Sequence, residues 1–185
     1  MTDELIDIYD ENNVPLGITE LKSEAHRDGL WHHTASIFVI DENGQILLQK
    51  RSKNMPSNGG KWNPSGAGYV EPGESERCAA KRELLEETGI DIPTDELGTP
   101  TVFSSRDTCP DGSIKAQFKY IYFVRRNVDL GELKLQRDEV DEVRFFHLKE
   151  FEEMISSDRG NLASVGRGFW ELSCSKIKSM LNNTP

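Results

Sequence analysis

Residues 68–90 read GYVEPGESERCAAKRELLEETGI, and their spacing decides how the chain folds. A glycine, Gly68, opens a loop. Glu74 follows after five residues, and after seven more comes Arg82-Glu83-Leu84-Leu85-Glu86-Glu87-Thr88-Gly89-Ile90. Ser75 and Glu76 suit a helix start, where a side-chain oxygen meets unpaired backbone N–H groups and negative charge suits the dipole. Residues 77–87 are rich in Ala, Leu, Glu, Arg and Lys, all strong helix formers. Gly89 stands where a helix commonly ends on a left-handed residue.

Glu83, Glu86 and Glu87 occupy positions i, i+3 and i+4, which are neighbours on one helical face. Like charges so placed repel unless a cation offsets them. Hard divalent ions take oxygen ligands, commonly a few carboxylates together with substrate phosphates. Such ions shield a diphosphate, orient it and activate water. Ala80 and Leu84 fall on another face and are expected to pack on a sheet. Arg82 is expected to point away from the acidic face and to tie down the loop through Glu74. Without its flanks, such an acidic stretch reads as a solvated helix face.

The segment resembles the Nudix box at every specified position, nine residue choices across 23 residues. The resemblance implies a Nudix fold, dependence on Mg2+ or Mn2+, and attack on a diphosphate joined to some other group X. The metal set it implies is Glu83, Glu86 and Glu87 with the Gly68 carbonyl. An extra carboxylate from a later loop, Glu139 or Glu142, is implied as a further ligand or base. Arg82 belongs to the same catalytic group.

Working outward, a chain of 185 residues suits one domain. That domain has a core at about 30–155, an N-terminal hairpin extension at 1–20 and a C-terminal helix at 167–181. Strands are expected at 5–9, 14–19, 31–40, 45–51, 62–68, 101–106, 115–126 and 142–147. Helices are expected at 148–155 and 168–181, with a short turn or helix at 22–29. Loops are expected at 52–60, 91–100, 130–141 and 160–166. The interleaving predicts an α/β (α+β) fold with a mixed sheet between helices, as the resemblance also implies.

The net charge of −10 opposes general binding to nucleic acid polymers or anionic membranes. It also repels a phosphorylated substrate, so metal ions and local cations must supply the attraction. Cys78, Cys109 and Cys174 show no pairing pattern and read as cytoplasmic thiols. No apolar run reaches the roughly 20 residues of a membrane helix, and the N-terminus lacks a signal-peptide pattern.

The flanking segments HRDGLWHHT at 26–34, LLQKRS at 47–52 and GKW at 60–62 look like the type I isopentenyl-diphosphate isomerase branch of the Nudix superfamily. Those isomerases use a cysteine just before the box glycine, where this chain has Ala67. Just after that glycine they carry a metal-binding histidine, where this chain has Tyr69. Their catalytic glutamate on a later strand aligns with Gln117. Alanine cannot transfer a proton and a neutral amide is a poor base, so the residues point to hydrolysis. Isomerisation of isopentenyl diphosphate and a non-catalytic binding module are the alternatives.

Substrate-binding candidates are Arg51, Lys50, Trp62 and Gln117. Arg51 leads because its planar fork suits phosphate oxygens. Trp31 and Trp62 read first as core aromatics, and otherwise as a stacking surface or pocket wall. His26, His32 and His33 read first as polar surface or strand-edge residues, and otherwise as metal or phosphate ligands. The partner implied is a small phosphorylated substrate. A homodimer is the oligomer the resemblance suggests.

Overall fold

The structure is a computed structural model that describes residues 3–157 and 161–182. Met1 and Thr2 of the expected hairpin extension, and Gly160 of the expected loop, lie outside the described residues.

The longest pairing in the sheet runs between β3 (Trp31–Ile40) and β8 (Ile114–Arg125), parallel over ten consecutive residue pairs. Strand β3 is buried along nearly its whole length. Its side chains alternate between two apolar layers, as expected for a strand covered on both faces. Ala35, Ile37 and Val39 face one layer, which includes Ala80 and Leu84 of helix α2 (Glu76–Thr88). Phe38 and Ile40 face the other, which includes Phe151 of α3 (Leu148–Ser156) and Phe169 and Trp170 of α4 (Arg167–Asn182). The architecture is therefore a mixed sheet between helices, as the sequence led us to expect.

The sheet forks beside β3. Strand β4 (Ile46–Arg51) pairs with β3 only at Val39 and Ile40, then diverges. Strand β6 (Gly66–Tyr69) takes its place along residues 34–37 of β3. Away from the fork, β4 carries β5 (Trp62–Asn63) and β9 (Val140–Phe146). The expected single strand at 62–68 is thus two short strands joined to different partners. On the far side, β7 (Thr101–Thr108) pairs with β8. The N-terminal hairpin of β1 (Leu5–Tyr9) and β2 (Pro15–Leu21) joins β3 through β1, and α1 (Lys22–Asp28) follows it.

Boundaries shift where local geometry outweighs propensity. Strand β9 begins at Val140 because a register irregularity between Lys50 and Arg51 lets Arg51 pair with Val140. Single 3₁₀ turns at Thr94–Glu96 and Leu130–Glu132 interrupt segments expected as plain loop. The box helix follows its sequence signals closely. Ser75 Oγ accepts from Cys78 N at 3.3 Å, and Gly89 ends the helix at φ 79°.

Gly66 sets how close α2 lies to the sheet. A Cβ there would come within 2.7 Å of Leu84 Cα and 2.8 Å of Leu84 N. Both are backbone atoms, so the helix itself would have to move. Gly66→Ala should therefore destabilise the protein by about 1–3 kcal/mol. For a chain of this size that lowers the melting temperature by roughly 2–4 °C per kcal/mol. A thermal melt matching the parent's would contradict this packing.

Candidate active site

Close packing of α2 on β6 presses two carboxylates against the sheet. Glu87 is 1% exposed. Its Oε2 accepts from Gln49 Nε2 at 2.5 Å and from the Ala67 backbone N–H at 2.9 Å. Glu83 is mostly buried, and its carboxylate lies over Gly68 so closely that a Cβ on that glycine would overlap it. Burial pushes the Glu83 carboxyl up to about 7, against the pull of Arg82. Burial also raises Glu87 well above the ordinary carboxylate range, with the Glu83 charge adding to the effect.

Arg82 does not point away from the acidic face, as expected, but bridges it to the loop. Its Nε and Nη2 donate to Glu74, at 3.1 and 2.9 Å, and Nη2 also donates to the Tyr69 carbonyl at 3.0 Å. Its Nη1 donates to Glu83 at 2.8 Å and to Glu86 at 3.3 Å. The expected tie to Glu74 is present, and the same guanidinium offsets part of the acidic charge. Glu86 is the solvent-facing member of the trio.

Among the described residues, no three His, Cys, Asp or Glu side chains form a ready coordination sphere. The donors nevertheless suit a hard divalent ion. Glu83, largely desolvated, stands over Gly68, which leaves it uncovered, and fully buried Glu87 is bonded next to it at Ala67. Gln49 Oε1, on the residue that holds Glu87, is a buried acceptor with no hydrogen-bond donor.

The fork also opens a cavity of about 330 Å³. Gly68 and Arg51 line it; burial raises the pKa of both Tyr69 and Glu87, and the nearby Arg51 charge offsets part of that rise in each. Ala67, Tyr69 and Gln117 line the same cavity. The three positions at which this chain departs from the isomerase pattern therefore converge on one space. Beside it, Gln117 Nε2 lies 3.1 Å from His32 Nε2, and Tyr69 Oη lies 3.4 Å from His26 Nε2.

Two of the three histidines are not the polar surface or strand-edge residues expected, and His26 is half-buried on α1. His32 and His33 are 0% and 5% exposed on β3. Burial lowers His32 to about 3 and His26 to about 4, which keeps both neutral near pH 7. His33 bridges Glu76 at 2.8 Å and Asn13 at 2.6 Å, and stacks on Tyr9.

The structure separates several expected site residues from this group. Lys50 alternates with Gln49 and Arg51 and turns to the opposite face. There its Nζ lies 3.5 Å from Glu142 and over the Trp62 ring. Trp62 is 8% exposed, packed edge-on against Phe146 within the α3–α4 layer. Glu142 pairs with Lys50 across the strands and stays with it. Glu139 differs: its charge raises the Glu83 pKa, and Gln136 donates to it through its side chain and to the Glu87 carbonyl through its backbone N–H. Three residues of this region escaped the sequence reading: Gln49, Lys115 and Lys119. The stretch KAQFK at 115–119 did carry a signal, polar residues at every second position of an otherwise apolar strand.

The NUDIX domain model matches residues 30–164, and this chain belongs to that family. An uncharacterized Nudix hydrolase of Listeria monocytogenes is 34% identical over 82% of this chain and 84% of its own length. Isopentenyl-diphosphate Delta-isomerase 2 of Aromatoleum aromaticum is 31% identical over 81% of this chain and 75% of its own, which places the chain in the isomerase-like branch. Nudix hydrolase 3 of Arabidopsis thaliana is 30% identical over 85% of this chain, a span that covers 21% of that longer protein. The crystal structure of DR0079 from Deinococcus radiodurans shares the fold, with a TM-score of 0.67, 19% identity and coverage of 95% and 98% of the two chains.

The raised carboxyl values carry a sign. Glu83 and Glu87 bind protons more tightly folded than unfolded, so their contribution to stability falls as pH rises from the unfolded value of 4.5. For Glu83 the loss is complete just above pH 7. Without divalent metal, Glu83→Gln should therefore melt several degrees above the parent at pH 8 and no higher at pH 4. Parallel melting curves across that range would show that Glu83 is not held in a desolvated site.

Proposed function

We propose that the protein is a Mg2+- or Mn2+-dependent hydrolase that splits a diphosphate linkage in a small phosphorylated metabolite, a nucleoside diphosphate derivative or a prenyl diphosphate. The observation that carries this reading is the pair of desolvated carboxylates on one helical face, Glu83 over Gly68 and Glu87 on the Ala67 N–H, two residues that also line the cavity. Glu83, Glu86 and Glu87 with the Gly68 carbonyl would hold the ion. When bound, it would neutralise diphosphate charge and make an attacking water more acidic.

The chain's own residues supply the rest. Gln49 and the Ala67 N–H fix the Glu87 carboxylate. Arg82 keeps Glu83 and Glu86 turned toward each other and anchors them to the Glu74 loop. Glu139 is the nearby carboxylate left to accept a proton from water. Arg51, at the fork between acidic helix and cavity, is placed to balance the charge of a leaving phosphate.

The isomerase relative favours a second reading, isomerisation of isopentenyl diphosphate. Ala67 and Gln117 weigh against it, since neither transfers a proton in that cavity. In heavy water with magnesium and isopentenyl diphosphate, no deuterium should enter the recovered diphosphate, and its incorporation would favour the isomerase.

The hydrolase reading is tested by phosphate or monophosphate release from a panel of diphosphates with added magnesium. Glu86→Gln and Glu87→Gln should each lower turnover by more than the roughly 10–100-fold lost when groups one shell out from a metal are changed. Parental turnover in both variants would remove the basis for the assignment.

A further inference from the structure

Strand β8 places Lys115, Gln117 and Lys119 on one face, toward the cavity. Lys119 is 4% exposed, an uncommon position for a lysine. Its Nζ donates to Ser105 Oγ at 2.5 Å, and Asp107 Oδ2 lies 3.9 Å away, beyond hydrogen-bond range. The Phe103 ring lies beneath it at 5.5 Å. A buried ammonium carries three donors, and one hydroxyl with a distant carboxylate does not satisfy them. Arg51, Lys115 and Lys119 meet one acidic side chain, Asp107, among the residues lining the cavity. In a chain of net charge −10 this is a local concentration of positive charge, and a recessed site focuses such a field on an anion.

We propose that Lys119, aided by Lys115, is an anion-binding subsite for the far end of the substrate. The group X then carries its own phosphate or carboxylate, set apart from the scissile diphosphate. This deepens the hydrolase reading and rests on it. Arg51 and Gly68 line the cavity from β4 and β6, and Lys119 lines it from β8, across β3 from Gly68 and Tyr69. A volume of about 330 Å³ is near the lower limit of roughly 300–1,000 Å³ for small-molecule sites, so X is compact. Burial holds the Lys119 pKa down at about 8. An anion beside it would restore the charged form, so binding draws in a proton. The other charged or titratable groups around Lys119 are Asp107, Lys115, Arg51, Cys109, Tyr69 and His32.

The test uses three synthetic alkyl diphosphates of equal chain length, ending in methyl, carboxylate or phosphate. Turnover with magnesium is measured at pH 7. Binding is measured separately by calorimetry at pH 8, in buffers of different ionisation enthalpy. The parent should prefer one anionic compound over the methyl compound by at least about tenfold in kcat/KM, mostly through KM. Whichever anionic compound leads identifies phosphate or carboxylate. Its binding should take up more protons than that of the methyl compound. Lys119→Met should abolish both differences, whereas Lys119→Arg should retain the preference. If Lys119→Met does not fold, Asp107→Asn serves instead. Asp107 is largely exposed, and removing its competing charge should increase the preference. Equal kcat/KM and equal proton uptake for all three compounds in the parent would overturn the subsite. So would a preference unchanged in Lys119→Met. Absence of turnover of any compound would count against the hydrolase reading, and calorimetry would still decide the subsite.

Discussion

The site depends on how closely helix α2 lies on strand β6. Two glycines permit that approach, Gly66 beneath the Leu84 backbone and Gly68 beneath the Glu83 carboxylate. At this distance Glu83 and Glu87 lose most of their water, and ionised carboxylates become costly. The protein offsets the cost in part, with Arg82 on one side and Gln49 and the Ala67 N–H on the other. What remains uncompensated is a demand for positive charge at one spot. That demand is how the fold becomes a site.

The fork in the sheet supplies the second element. Because β4 leaves β3 and β6 replaces it, the strands part beside the acidic helix and a cavity opens between them. Arg51 stands where the two spaces meet. Under the proposed function, a diphosphate held there would have the carboxylates and their ion on one side and a pocket for X on the other. In that proposal the acidic helix would handle the diphosphate, and the residues lining the cavity would decide what is attached to it.

The part of the site legible in the sequence is the part set by local signals. Ser75, Gly89 and the helix formers between them specify α2, and the pattern of Glu83, Glu86 and Glu87 declares its acidic face. The rest was not legible, because residues distant in the chain decide the outcome. Lys50, Trp62 and Glu142 were grouped with the site because they lie near it in sequence or in pattern. Strand alternation sends Lys50 and Glu142 to the opposite face, and Trp62 packs into the α3–α4 layer with them. Glu139 and Glu142 could not be separated until the register of β9 against β4 was known. Nothing local shows that β3 is covered on both faces, so the burial of His32 and His33 is not legible in the sequence. Lys119 was legible in the alternation of β8, but its significance comes from Ser105 and Asp107 on a different strand.

The central claim is that the Glu83–Glu87 face takes up a divalent cation because its carboxylates are desolvated. Titrating the metal-free protein with manganese near pH 6.5, while recording electron paramagnetic resonance and proton release, tests it most directly. Metal binding displaces protons from ligands that hold them, and Glu83, with a pKa of about 7, is largely protonated at that pH. The account predicts saturable binding accompanied by proton release, with both lost in the Glu83→Gln, Glu87→Gln double variant. Binding that releases no protons, or that persists unchanged in the double variant, would contradict it.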